Sequence, residues 1–344
     1  MIPHSCPHID ADDISALAAC AQSRRLATGE GVAALEARIA RDLGYAGAVS
    51  TVNGGQAIHL ALRAHFPEGG AAVALPSYVC RSVYDAVCLA RCRPVLWDID
   101  PATFSLAPST TGRKDVDAVI VPHLFGIRAD IEGWTGRSKL VIEDCAQRLS
   151  PPAVSRTESK GHVRILSFAA TKLLTGGQGG MLLSDDPRML ARAVDLRDGS
   201  SEMPSPSLWL PYTDLQAALV MSQWRRLDAF LARRAEIAGR YMRALESAFP
   251  QHIVQAMRAR DTYHFRFVVS VADVQAAISH AAGRGVAFRL PVAPAGLHSL
   301  FHLPGDFTET ENAVAHLLSV PIYPSLTDEE VETVAAVMLE VLAI

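Results

Sequence analysis

Three segments far apart in the chain carry residue types that could do chemistry together. The first is Val141-Ile142-Glu143-Asp144-Cys145-Ala146-Gln147, an apolar run that ends on acids. If that run is a strand of a parallel sheet, its C-terminal end faces the ligand crevice. A carboxylate there could hold a proton on the nitrogen of a pyridine ring and keep the ring a strong electron sink. The plainer alternative is that Asp144 caps the next helix. The second segment runs from Ser167 through Lys172 to the glycines Gly176, Gly177, Gly179 and Gly180. A lysine within a turn of a strand end, held beside a cationic ring, can have its pKa lowered and act as nucleophile and base. Ser167 could hydrogen-bond a phosphate, and the glycines permit close backbone approach. Read plainly, Lys172 is one more solvated lysine and the glycines form a hairpin turn. The third segment, Asn53-Gly54-Gly55-Gln56-Ala57, lies between an apolar run and a helical pattern. Backbone N–H groups at a helix start make an anion site. Neither a P-loop lysine nor GxGxxG is present, and strand-to-helix turns are often Gly-rich.

The elements that must position these segments can be read from periodicity. The first forty residues give two helices, one with Ile14, Leu17 and Ala18 on its apolar face, the other with Val32, Leu35, Ile39 and Leu43. Seven short apolar runs follow: Ala48–Val52, Ala72–Leu75, Pro94–Trp97, Ala118–Val121, Leu140–Ile142, Ile165–Phe168 and Met181–Leu183. Continuous apolar runs with crossovers between them predict strands buried on both faces, hence an α/β fold with a mostly parallel seven-stranded sheet. After Pro211 the rhythm changes. One long helix is expected over Asp214–Leu245, then strands at Tyr263–Val269 and Val286–Leu290, a helix at Asp273–Ala282, and a closing helix with the capping box Thr327-Asp328-Glu329-Glu330. The expected organisation is a large domain over 1–210, a connecting helix over 211–249, and a smaller α+β domain over 250–344.

Composition narrows the function classes. The 344 residues, 49% hydrophobic and 20% charged, are enough for one large or two modest domains with a real core. A formal net charge of −4 gives no reason to expect nucleic acid or an acidic membrane surface. The N-terminus lacks the pattern of a signal peptide, and the longest apolar runs, such as Val334–Ile344, are too short to span a bilayer. Of the six cysteines, Cys80, Cys88 and Cys92 could share a helix face. No neighbouring His or acid completes a zinc tetrahedron, so no metal is expected. Reduced thiols in a cytoplasmic enzyme are the simpler reading.

The order and spacing of the motifs resemble the DegT/DnrJ/EryC1/StrS sugar aminotransferases, a family within fold type I of the pyridoxal-phosphate (PLP) enzymes. The resemblance covers nearly the whole chain. NGGQAIHLAL is similar to that family's phosphate loop, PSYVCRSVYDAV to its substrate-side strand end, VIEDCAQ to its pyridine-nitrogen segment, and SFAATKLLTGGQGGMLLSDD to its lysine segment. PVLWDIDPATFSLAP, AVIVPHLFGIRADIEGW, YTDLQAALVMSQWRRLDAFLARR and LSVPIYPSLTDEEVETV match further stretches.

The resemblance implies an aspartate-aminotransferase-like fold and a PLP cofactor. Lys172 would be the Schiff-base lysine, Asp144 the partner of the ring nitrogen, Gln147 a neighbour of the ring hydroxyl, and Ser167 a phosphate ligand. Gly54, Gly55 and Gln56 would complete the phosphate cradle, and Cys80 would lie over the cofactor ring. It also implies a homodimer with the active site shared at the interface.

Several positions depart from the family pattern. Gly55 replaces a usual Thr or Ser, Cys80 a ring-stacking aromatic, and Arg289-Leu290-Pro291 a segment that usually reads Tyr-Pro. The stretch around Trp209–Thr213 lacks an Asn-x-Arg-Met pattern whose Asn reaches the partner's phosphate.

The first reading is therefore an aminotransferase that moves an amino group from an amino acid, glutamate or glutamine by resemblance, to a keto sugar, nucleotide-linked, or a related biosynthetic intermediate. A second reading keeps the cofactor but performs elimination, decarboxylation or condensation. A third is a non-catalytic sensor or scaffold on the same fold. The retained Lys172, Asp144, Gln147 and Ser167 favour the first.

Overall fold

The computed structural model describes residues 1–108, 116–199, 207–208, 211–259 and 261–343. The seven apolar runs form β1 (Gly47–Thr51), β2 (Ala72–Pro76), β3 (Arg93–Trp97), β4 (Ala118–Pro122), β5 (Leu140–Asp144), β6 (Val163–Ser167) and β7 (Gly180–Ser184). They build one sheet in the order β1-β7-β6-β5-β4-β2-β3. β2 pairs parallel with β3 and β4, β4 with β5, and β5 with β6, whereas β7 runs antiparallel to both β1 and β6. All five residues of β2, β4, β5 and β7 are buried, because helices cover both faces and no polar side is needed. β3, at the edge, is the least buried of the seven.

The helices in chain order are α1 (Ala11–Ser23), α2 (Glu30–Leu43), α3 (Gly54–His65), α4 (Arg81–Leu89), α5 (Pro152–Ser155), α6 (Pro187–Asp198), α7 (Asp214–Trp224), α8 (Leu227–Ala248), α9 (Val274–Gly283), α10 (Leu297–Leu300), α11 (Thr308–His316) and α12 (Asp328–Leu342). One apolar core joins α3, α4 and α6 to one side of the sheet; a second joins α2, α7 and the start of α8 to the other. A third core lies around α9, α12 and the pair β8 (Phe267–Ser270) and β9 (Leu317–Val320). α8 serves two of them. Leu227, Phe230 and Leu231 enter the second core, and Ile237, Ala238, Tyr241 and Leu245 the third. Thr327 and Glu330 form the expected capping box at the start of α12.

Four expectations need correction. The long helix is two helices, broken at Arg225-Arg226, where Arg226 leaves helical geometry (φ −110, ψ 11) and its guanidinium pairs with Asp10 and Asp13. α1 does not bury its apolar stripe in this chain. Ile14 is 62% exposed, and the fully buried residue is Asp13, which receives Gln223 Nε2 at 2.7 Å and Arg226 Nη2 at 2.6 Å. The strand expected from Tyr263 starts only at Phe267, since Tyr263 N–H is spent on Gly126 O and His264 adopts positive φ. Val286–Leu290 is no strand. It makes isolated bridges, Val286 to Ile2 and Arg289 to Ser319.

Candidate active site

The strand directions bring one set of ends together. β4, β5 and β6 finish, and β7 begins, on the same rim of the sheet, with the end of β1 beside them. Asn53 bridges to Gly179, and a Cβ on Gly180 would lie 2.3 Å from the Asn53 carbonyl carbon. Glycine at 180 is therefore what lets the start of α3 sit against the lysine loop. Gly54 closes the contact from its side, because a Cβ there would meet Ser167 Cβ at 3.2 Å. The Ser167 hydroxyl thus lies beside the N-terminus of α3, where free N–H groups and the helix dipole favour an anion.

A cavity of about 370 Å³ opens on this rim. Gly54, Gly55, Cys80, Asp144, Gln147, Ser167 and Lys172 all line it. Gln56 does not. It lies at the third position of α3, its N–H is taken by the Asn53 side chain at 2.9 Å, and its Oε1 lies 3.1 Å from His59 Nδ1. The N-cap already uses the Gln56 backbone donor, so the N–H groups offered at this turn are those of Gly54 and Gly55.

Asp144 caps no helix. The helix that follows begins at Pro152 with Pro151 at its N-cap, and Asp144 Oδ1 instead accepts from Ala146 N–H at 2.9 Å, an Asx turn. Only 5% of the residue is exposed, and among the described residues its carboxylate has no other protein donor. Burial raises its pKa; the Ala146 N–H and the charge of Lys172 pull the other way. A buried acid with a vacant oxygen facing a cavity fits a protonated ring nitrogen.

Lys172 is half-buried, not solvated. Its loop is closed by Phe168 N–H to Gly179 O and Gly176 N–H to Phe168 O, at 2.8 and 2.9 Å. The ammonium lies 5.1 Å from the Phe265 ring centre, and burial, with Arg266 acting the same way, lowers its pKa. A less basic amine is a better nucleophile at neutral pH. Gln147 Oε1 accepts from Phe125 N–H at 2.8 Å, so its amide NH₂ remains free to donate. Cys80 precedes α4 as an exposed residue on the rim.

The sequence reading missed four neighbours. His123, Gln178 and Ser82 line the cavity, and Phe265 carries the lysine. His123 could have been found, since it follows the apolar run of β4 as Asp144 closes that of β5. Phe265 could not, because it arrives from beyond residue 250. His123 Nδ1 accepts from Ala129 N–H at 2.9 Å, so Nε2 carries the proton donated to Glu143 Oε1 at 2.9 Å. The cluster His123, Glu143 and Cys145 has the compactness of a metal site. Arg164 occupies both Glu143 oxygens, at 2.8 and 3.0 Å, which makes the cluster an ion pair instead.

Residues 7–339 match the model of the DegT/DnrJ/EryC1/StrS aminotransferase family. The chain belongs to that family. It is accordingly a PLP-dependent aminotransferase of fold type I. Among curated relatives, the pleiotropic regulatory protein of Geobacillus stearothermophilus is 28% identical, covering 93% of this chain and 91% of its own. The spore coat polysaccharide biosynthesis protein SpsC of Bacillus subtilis (strain 168) is also 28% identical, over 97% and 95%. Among solved structures, the aminotransferase TlmJ from Streptoalloteichus hindustanus is 26% identical with a TM-score of 0.88, covering 100% of this chain and 99% of its own. The DegT/DnrJ/EryC1/StrS departures can now be placed in space. At Gly55, where a hydroxyl side chain is usual, a Cβ would be crowded, with Asn53 Oδ1 and Ser82 O only 3.3 and 3.4 Å away. Trp209 and Leu210, in the segment lacking the family's Asn, lie outside the described residues. Among the described residues, no helix is long and apolar enough to cross a membrane.

Proposed function

We propose that this enzyme moves the amino group of glutamate or glutamine to a keto group on a sugar, nucleotide-linked, with PLP carried on Lys172. One observation supports it above the others: a half-buried lysine, a buried acid with a vacant oxygen, and a helix N-terminus beside a serine converge on one cavity. PLP, when bound, supplies an electron sink conjugated to the substrate amine. Asp144 holds the ring-nitrogen proton, and Gln147 donates its free amide N–H to the ring hydroxyl. Gly54 and Gly55 N–H with the Ser167 hydroxyl receive the phosphate. Lys172 Nζ, kept less basic by burial, takes the proton from the donor's α-carbon and later returns one to the acceptor carbon.

We also propose a homodimer in a reducing cytoplasm. The uncovered Ile9, Ile14, Leu26 and Leu215 give a second copy an apolar surface to cover. The non-catalytic alternative predicts no half-reaction. The test is to mix holoenzyme with each candidate donor, without acceptor, and follow the spectrum and products. Conversion to the pyridoxamine form with one keto acid per site is expected. Consumption of an amino acid with release of ammonia or carbon dioxide would replace amino transfer by elimination or decarboxylation.

A further inference from the structure

A second cavity, of about 780 Å³, opens behind the lysine loop. Its walls come from the N-terminal segment (His4, Ser5), from Thr171, from Arg266, and from the Arg289–Val292 stretch. It holds two guanidinium groups and no acid. Among the described residues neither arginine has a carboxylate partner. Arg266 uses Nη1 alone, donating to Ser5 Oγ and His4 Nδ1, both at 2.9 Å. His4 can only accept there, because burial and the two arginines hold its pKa down at about 3. Arg266 Nε is buried without a partner, and Nη2 makes no hydrogen bond among the described residues. These two N–H groups form the side of the guanidinium that grips a carboxylate with two parallel hydrogen bonds. The unsatisfied buried Nε is costly, so it calls for a ligand.

The position of Arg266 says which ligand. Its guanidinium carbon lies 4.8 Å from the centre of the Phe265 ring, the same ring that carries Lys172 Nζ at 5.1 Å. The two cations are therefore separated by no more than those two distances end to end, a span on the scale of one small amino acid. Thr171, next to Lys172 in the chain, is on the cavity wall. We infer that Arg266 and Arg289 form the carboxylate-binding site for the amino donor. Arg266 grips the carboxylate through Nε and Nη2, and the more exposed Arg289 adds charge at the mouth. This inference rests on the amino-transfer reading of the Lys172 cavity and assigns its donor a fixed docking point. It also gives a role to the Arg289-Leu290-Pro291 segment, which departs from the family pattern.

The test uses holoenzyme, wild type, Arg266→Gln and Arg289→Gln. Succinate, a dicarboxylate that cannot react, is titrated by calorimetry, and the donor half-reaction is followed separately against glutamate concentration. A charge-assisted hydrogen-bond pair corresponds to about 10- to 100-fold in affinity. The expected result is a loss of that size in succinate affinity and in half-saturation by glutamate for Arg266→Gln. A smaller loss in the same direction is expected for Arg289→Gln, which is exposed enough to be replaced without disturbing the core. Inorganic pyrophosphate is the second arm. If it binds wild type and loses affinity in the variants while succinate does neither, the site belongs to a phosphorylated acceptor and the donor assignment is overturned. Unchanged affinity for both probes in a folded Arg289→Gln and Arg266→Gln would overturn the site altogether. A wild type that gives no half-reaction with any amino acid sinks the amino-transfer reading instead, which separates the two failures.

Discussion

Two clusters of buried charge meet at the end of β5, and they are built on opposite principles. Glu143 and Asp144 are consecutive and both buried, and the strand pleat sends them to opposite faces of the sheet. On one face Glu143 is saturated: Arg164 takes both oxygens, His123 donates to one, and Arg164 Nη1 is held by Ser155 Oγ at 2.6 Å. Burial opposes ionisation there, but Arg164 and the His123 N–H outweigh it and hold the Glu143 carboxyl well below the usual carboxylate range. On the other face Asp144 has one backbone donor, and burial pushes its pKa up. A closed network holds the sheet in place. An open one leaves an acid with no side-chain donor among the described residues, its charge offset only in part by Lys172.

That contrast can be broken by exchanging each acid for its amide. Glu143→Gln has the largest expected effect on folding. Removing one charge of a buried pair strands Arg164, at a cost of about 3–5 kcal/mol in stability. Denaturant unfolding checks it, and a loss below roughly 1 kcal/mol would mean that the pair is not holding the sheet. Asp144→Asn should instead act on the reaction. Losing an electrostatic contact to the reacting system costs on the order of 10²–10³-fold in turnover. The variant should still fold and bind PLP, and turnover equal to wild type would reduce Asp144 to its Asx turn.

The smallest effect sharpens the same comparison without cofactor. A raised carboxyl pKa in the fold contributes stability that is full below the ordinary carboxylate value and is lost as pH rises through the raised one. Apo wild type should therefore lose stability relative to apo Asp144→Asn as pH rises from the acid side towards neutral, with the Lys172 charge narrowing the gap. Thermal melts of both apoproteins across that range check the sign. Glu143, depressed in the fold, should behave oppositely: its contribution is present above the ordinary carboxylate value and is lost only in acid.

Much of the open face was legible in the sequence because its parts are local. A strand that runs straight into Asp144, and a strand that ends at Ser167 five residues before Lys172, show their chemistry in one window. The seven strands were legible for a similar reason, since continuous apolar runs are what a doubly covered sheet requires. What could not be read depends on distant chain. Phe265 and Arg266 reach the lysine from beyond residue 250, in a stretch whose apolar alternation looks like strand but whose N–H groups pair with Phe125 and Gly126. The break between α7 and α8 was hidden because Arg225-Arg226 is a good helix-forming pair, and tertiary pairing with Asp10 and Asp13 ends the helix there. The position of Gln56 in the motif likewise says nothing about whether Asn53 already holds its N–H.

We propose that the open face holds the cofactor, with Lys172 as its covalent anchor. The most direct measurement is borohydride reduction of the purified holoenzyme, followed by proteolysis and mass spectrometry of the modified peptide. Visible absorbance before reduction and a single reduced pyridoxyl group on the peptide containing Lys172 are expected. A label on another lysine, or none on a protein that shows the absorbance, would contradict it.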